Sequence, residues 1–245
     1  MPSAAPVRVA NLLIGTLSRR NRDLILAQSE LVELEYGETV CDPSRPYRHV
    51  YFPLLGFISL FTGITGHSPI EMGLIGNEGM LGATLLLGVD MPPLKAVVQG
   101  PGSALRMPAA NFQRMLREQA PVKALFELYL YVLMRQLFQT AACTCFHSVE
   151  ERLARWLLMT HDRAHADRFH LTHQWLADML GVRRSAITIA AGDLQHRRLI
   201  SYTRGEITVL SRRGLEAVTC ECYRKLVDDY AEVFQKVGPG SPASS

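Results

Sequence analysis

No run of apolar residues in the 245-residue chain reaches the roughly 18 that a membrane helix requires. Met1 to Asn11 hold one basic residue and no apolar stretch ending in a cleavage site, which argues against a secretory leader and for a cytoplasmic protein. Cysteine is scarce and odd in number. The five residues, Cys41, Cys143, Cys145, Cys220 and Cys222, are too scattered for a disulfide framework. Arginine is missing between Arg48 and Arg106, lysine is missing between His170 and Leu215, and neither proline nor glycine interrupts Val122 to Phe146.

What is present is ordinary for a globular protein. Hydrophobic residues make up 48% and charged residues 20%, enough apolar surface to build one or two cored domains and to exclude wholesale disorder.

The most informative stretch is Leu171 to Leu210. Ala177, Gly181 and Ile187 fall four and six residues apart within an apolar frame of Leu176, Leu180, Val182, Ala190 and Leu194. A small residue at Ala177 lets a second helix cross close by, and Gly181 supplies the left-handed backbone that ends a helix without a Cβ clash. The pattern predicts a helix over about 173–179 with Thr172 as N-cap, then a second over about 184–197. The outward face of the second holds Arg184, Ser185, Thr188 and Gly192. Such a face suits the DNA major groove, where arginine pairs bidentately with guanine and short hydroxyls reach bases or phosphates. Two β-type runs follow, Leu199 to Tyr202 and Glu206 to Leu210, joined through Arg204-Gly205 as a hairpin wing. From His170 to Leu215 seven arginines face three acids, a local balance of +4 against +3 for the whole chain. The basic excess is concentrated here.

Between Leu31 and Met107 the sequence breaks into short apolar runs: Leu31 to Tyr36, Val50 to Phe52, Phe57 to Phe61, Ile70 to Ile75, Leu94 to Gln99 and Ser103 to Met107. Glycine- and proline-bearing separators such as Gly100-Pro101-Gly102 carry turn chemistry. Many short strands at close spacing predict a sandwich or jelly-roll barrel with room for a small ligand.

A helix of about 25 residues follows from Val122 to Phe146. Leu125, Leu128, Val132, Gln139 and Ala142 keep roughly heptad spacing, and a second stripe, Phe126, Tyr129, Leu130, Leu133 and Leu137, adjoins it. The second stripe is expected to cover the β domain and the first to meet a partner helix. Ser148-Val149-Glu150-Glu151 reads as a capping box for the next helix, and a final helix is expected over 213–237 before a Gly/Pro/Ser tail. The expected organisation is therefore a β domain over 9–120, a dimerisation helix over 121–147, a winged helix-turn-helix over 148–237 and a disordered tail over 238–245.

The four later cysteines form two Cys-x-Cys pairs. If both lie in helices, their members point about 200° apart, poor geometry for one shared metal. Small buried or half-buried thiols are expected and no metal ligand is assigned, with a redox- or metal-responsive role as the alternative.

This order, a small β-barrel, a long helix and a winged helix-turn-helix, resembles the Crp/Fnr family of bacterial transcription regulators. The resemblance is sharpest in LTHQWLADMLGVRRSAITIAAGDLQHRRLI and weaker in Val50-Tyr51-Phe52 with Gly56, Gly66, Gly76, Gly79 and Gly82. It implies an α+β fold with a jelly-roll sensor barrel, a homodimer on palindromic double-stranded DNA, contact with RNA polymerase and no enzymatic activity. The DNA-binding set it implies is Thr172, His173, Arg183, Arg184, Ser185, Thr188, Arg197 and Arg204. Arg184 matches the family's base-reading arginine. Ser185 replaces a glutamate that reads cytosine, and Ile189 stands where a second arginine is common, so the operator departs from the best-known family consensus.

The implied effector pocket departs further. The Gly-Glu position reads Gly82-Ala83, followed by Thr84, and the Arg-Ser region reads Pro92-Pro93-Leu94-Lys95. Lys95 supplies a charge but not the guanidinium fork that grips a cyclic phosphate, which disfavours cyclic AMP. With Cys41 the sole cysteine before Cys143, an iron–sulfur cluster of the family's N-terminal type is disfavoured too. Haem ligation stays open through His49, His67 and His147, none of which is assigned. A cupin-like metal enzyme is the remaining alternative, and the β region offers it only His49, His67, Glu71 and Glu78, without His-x-His spacing.

Overall fold

The computed structural model of the protein describes residues 11–63, 65, 66 and 68–237. His67 and the expected tail lie outside the described residues.

Helices α1 (Leu12–Gly15) and α2 (Arg19–Ala27) are capped by Asn11 and Ser18, whose side chains accept the backbone N–H three residues on. Asn11 is fully buried and also donates to the carbonyls of Pro53 and Gly79 at 3.0 and 2.9 Å, pinning the entry of the chain to the β domain.

Strands β1 (Glu30–Leu34), β2 (Thr39–Cys41), β3 (His49–Thr62), β4 (Ile70–Ile75) and β5 (Lys95–Pro108) form a five-stranded antiparallel sheet in the order β1-β5-β3-β4, with β2 also on β5. The four runs expected over 50–61 and 94–107 are two continuous strands of 14 residues each. Gly100-Pro101-Gly102 is not a turn. It lies inside β5 opposite Leu55 to Phe57 of β3, where the register shifts repeatedly and both strands bend. The glycines serve close backbone approach: a Cβ on Gly102 would strike the Leu55 carbonyl, and one on Gly56, held at φ +76°, would strike the carbonyls of Gly100 and Pro101. The rolled sheet encloses Leu34, Tyr51, Ile58, Ile75, Leu81, Ala96, Val98 and Ala104.

A second core lies outside it. Phe52 of β3, Phe112 of α3 (Ala109–Glu118) and Phe126 of α4 (Ala120–Phe146) meet with ring centroids 5.2 to 6.4 Å apart. The Tyr129 hydroxyl donates to the Met80 carbonyl and accepts its N–H, both at 3.0 Å, locking α4 to the segment after β4.

Helix α4 has 27 residues, about 40 Å of helix. Its stripes are phased differently from the expectation. Leu125 and Val132 are 0% and 1% exposed within a single chain, so they have no surface left for a partner, and Gln139 faces Cys222. Leu128 is half-buried and Ala142 exposed. The exposed apolar residues of α4 include Tyr131, Met134, Leu137, Phe138 and Phe146. The residues counted from sequence as the partner stripe start on the inner face, where Leu125 and Val132 join the chain's own core.

The remaining elements are α5 (Val149–Ala164), β6 (Arg168–His170), α6 (His173–Leu180), α7 (Arg184–His196), β7 (Ile200–Thr203), β8 (Glu206–Val209), α8 (Arg212–Val218) and α9 (Cys222–Val237). The Ser148–Glu151 capping box is present. The wing has a third strand, β6, whose three residues are too few to give a periodic signal; its order is β6-β8-β7. The expected final helix is two, because Thr219 leaves the helical region at ψ 152°.

Candidate nucleic-acid interface

Thr172 accepts the Trp175 N–H at 3.1 Å and starts α6. Gly181, at φ +62°, ends it, and the Val182 N–H closes the turn onto the Ala177 carbonyl at 2.9 Å. Leu176, Ala177, Ile187 and Leu194 are sealed between the two helices, so sterics alone fix which side of α7 faces outward. That side presents Arg184, Ser185, Thr188, Ile189 and Gly192. Ile189 is 67% exposed, an apolar side chain of the kind that packs on a thymine methyl.

The eight residues assigned from sequence do not act alike. Arg183, Arg184 and Arg204 are exposed and make no ion pair among the described residues. Arg204 and Gly205, at φ +51° and +82°, form the two-residue turn at the wing tip. Arg197 pairs with Glu150 of α5 at 2.9 Å, on the surface of the domain. Thr188 donates to the Arg184 carbonyl at 3.1 Å and takes a contact of 3.0 Å from His173 Nδ1. His173 also stacks on Tyr202 of the wing, with centroids 4.2 Å apart. Burial, with the Arg184 charge added, pushes the His173 pKa down, and the ring braces α7 against the wing. Ser185 is exposed. Sequence reading missed the brace because it joins residues about 30 apart.

The residues assigned to an effector pocket separate. Gly82, Ala83, Thr84 and Leu94 line a cavity of about 140 Å³ between the sheet and α4, together with Leu130, Leu133 and Leu137. Lys95 does not. It lies in another groove with Arg45, Arg48 and His49. Among the described residues, no charged side chain lines the α4 cavity.

The cysteine pairs also behave unlike the expectation. Cys143 is buried and Cys145 exposed, as one helix requires. Cys220 and Cys222, however, straddle the break between α8 and α9, so both reach the same place as Cys143. His147, left unassigned, joins them. The premise of a continuous final helix was the error. The legible signal was Cys143-x-x-x-His147, an i, i+4 pair on one helix face. The Cys143 thiol is pushed down, chiefly by its hydrogen bond with Cys220 and then by the Arg155 charge, while Cys220 is pushed up.

These features define the class: a winged helix-turn-helix DNA-binding regulator behind a β-barrel domain. Residues 151–218 match the Crp-like helix-turn-helix domain. The chain is 25% identical over 185 residues to the global nitrogen regulator of Nostoc sp. (strain PCC 7120), covering 71% of this chain and 82% of that one. Among solved structures it is similar to a Crp/Fnr-family transcriptional regulator from Eubacterium rectale, with a TM-score of 0.67, 17% identity and coverage of 84% and 96% of the two chains. The c-di-GMP-responsive global regulator CLP of Xanthomonas campestris gives a TM-score of 0.64, 16% identity and coverage of 79% and 100%. The chain thus carries a Crp-like helix-turn-helix domain and is similar over most of its length to Crp/Fnr-type transcription regulators. No helix among the described residues is long and apolar enough to cross a membrane.

Proposed function

We propose that two copies associate through α4 and set their α7 helices into successive major grooves of a palindromic operator, about one DNA turn apart. The observation that carries this reading is the unpaired set Arg183, Arg184, Ser185 and Ile189 on one exposed face, with Arg204 at the wing tip beside it. Tyr131, Met134 and Phe138, exposed on α4 by 54%, 47% and 67%, supply the partner surface in place of the buried Leu125 and Val132. RNA polymerase is the natural second partner of such a complex at a promoter.

The α4 cavity favours a small uncharged effector. A cyclic phosphate buried there would meet no cation, and its desolvation would go uncompensated. Binding-site selection from random duplexes, followed by footprinting and sedimentation of the complex, tests the reading: a two-fold symmetric site covered by two chains is expected. Equal affinity for random and selected duplexes at moderate salt overturns it. Titration calorimetry with cyclic AMP and c-di-GMP is expected to give no heat of specific binding.

A further inference from the structure

Three thiols and an imidazole meet where α4 ends and α9 begins. Cys143 and His147 come from the last turn and cap of α4, and Cys220 and Cys222 from the break before α9. One ligand atom from each lies within 4.8 Å of all the others. Cys143 Sγ is 3.6 Å from Cys220 Sγ, and Cys222 Sγ is 3.5 Å from His147 Nδ1. The edges of a tetrahedral zinc site with three sulfurs and one nitrogen are about 3.8 Å between sulfurs and about 3.6 Å from sulfur to nitrogen. We propose that Cys143, His147, Cys220 and Cys222 bind one Zn²⁺ per chain through a Cys₃His set.

The surroundings are those such a site needs. His147 Nε2 lies 3.2 Å from a Glu221 carboxylate oxygen, so the outer nitrogen has an acceptor that fixes the tautomer and leaves Nδ1 to face the metal. Gln139 Nε2 donates to Cys222 Sγ at 2.9 Å, a bond that suits a thiolate. Three thiolates on Zn²⁺ carry a net charge of −1, and Arg155 answers it. This arginine is buried beside Cys143, and its Nε has no hydrogen-bond partner.

The cluster also explains a gap in the packing. The three buried cysteines form their own small group, separate from the continuous core that runs through the barrel and the DNA-binding unit. Further along, α4 and α9 are joined by Arg135, which pairs with Asp229 at 2.7 Å and Glu232 at 3.4 Å. Four metal bonds would add a tie at the end of the long helix, where it meets the first residues of α9. Soft thiolate ligands and a closed four-ligand set select Zn²⁺ over Mg²⁺ or Ca²⁺. The site does not depend on the operator reading above.

The test uses the full chain, purified in reducing buffer without chelator. Elemental analysis is expected to return one zinc per chain after dialysis. Replacing it with Co²⁺ is expected to give the intense visible bands of a tetrahedral ion and thiolate-to-metal absorption in the near ultraviolet. Cys143→Ser, Cys220→Ser and Cys222→Ser are each expected to lose the metal or the tetrahedral spectrum, whereas Cys145→Ser keeps both. If a replacement prevents folding, the native protein still decides. Free titration of all five thiols with no stoichiometric metal, or a Cys143–Cys220 disulfide that persists in the protein purified this way, overturns the proposal. So does a Cys145→Ser variant as deficient as Cys143→Ser.

Discussion

The Trp156 indole N–H of α5 donates to the Glu71 carboxylate of β4 at 2.8 Å, joining the DNA-binding unit to the rolled sheet. The second Glu71 oxygen is buried without a partner. Burial raises the Glu71 pKa to about 7, against the smaller opposing effects of Ser59, Trp156, Arg163 and Arg155.

A carboxyl group whose folded pKa lies above its unfolded value stabilises the fold most below the unfolded value, and that stabilisation is lost as pH rises. From 4.5 to about 7 the loss amounts to about 3 kcal/mol, with no further change above. Thermal melts from pH 5 to 8 are expected to show this decline. Glu71→Gln, which keeps an acceptor for Trp156, is expected to flatten it. A Glu71→Gln protein with the same slope would place the pH dependence elsewhere.

Arg163 and Glu78 form the second tie, buried, with Nη2 and Nε at 2.7 and 2.8 Å from one carboxylate oxygen. Glu78→Ala strands the guanidinium without its counter-charge and is expected to cost about 3–5 kcal/mol in denaturant unfolding. A loss under about 1 kcal/mol would show that water or a neighbouring carbonyl satisfies it.

Arg184→Ala is expected to weaken operator binding by about 10- to 100-fold and to relax discrimination at one base position, measured by competition with single-base variants. Arg204→Ala, at the wing tip, is expected to weaken all duplexes alike and to reduce the salt slope by about one.

On α4 two substitutions separate packing from association. Leu125→Ala, wholly inside the chain, is expected to cost about 2–5 kcal/mol of stability without changing sedimentation mass. Phe138→Glu is expected to leave the fold intact and yield a monomer. A Phe138→Glu dimer would move the partner surface off this helix.

Gly102→Ala and Gly192→Ala are expected to differ in sign. A Cβ at Gly102 meets the Leu55 backbone and is expected to cost about 3 kcal/mol or more, while one at Gly192 meets nothing within 4 Å and adds up to about 1 kcal/mol of helix stability. Chemical denaturation reads both.

The sequence by itself determined the features that depend on neighbours a few residues apart. Thr172, Gly181 and Ile187 specified the helix-turn-helix, Ser148 and Glu151 the cap of α5, and the proline-free run the long helix, because caps, left-handed glycines and helix periodicity are local physics. The fold class and the resemblance to Crp/Fnr regulators followed from their order. Only the tertiary structure decided which face of α4 is inside, that Gly100-Pro101-Gly102 bends a strand instead of turning it, and that His173 braces the wing. Each depends on atoms brought together from distant stretches of chain. The cysteines show the difference most plainly: their spacing alone argued against a shared site, and a break at Thr219, 76 residues beyond Cys143, is what gathers them with His147.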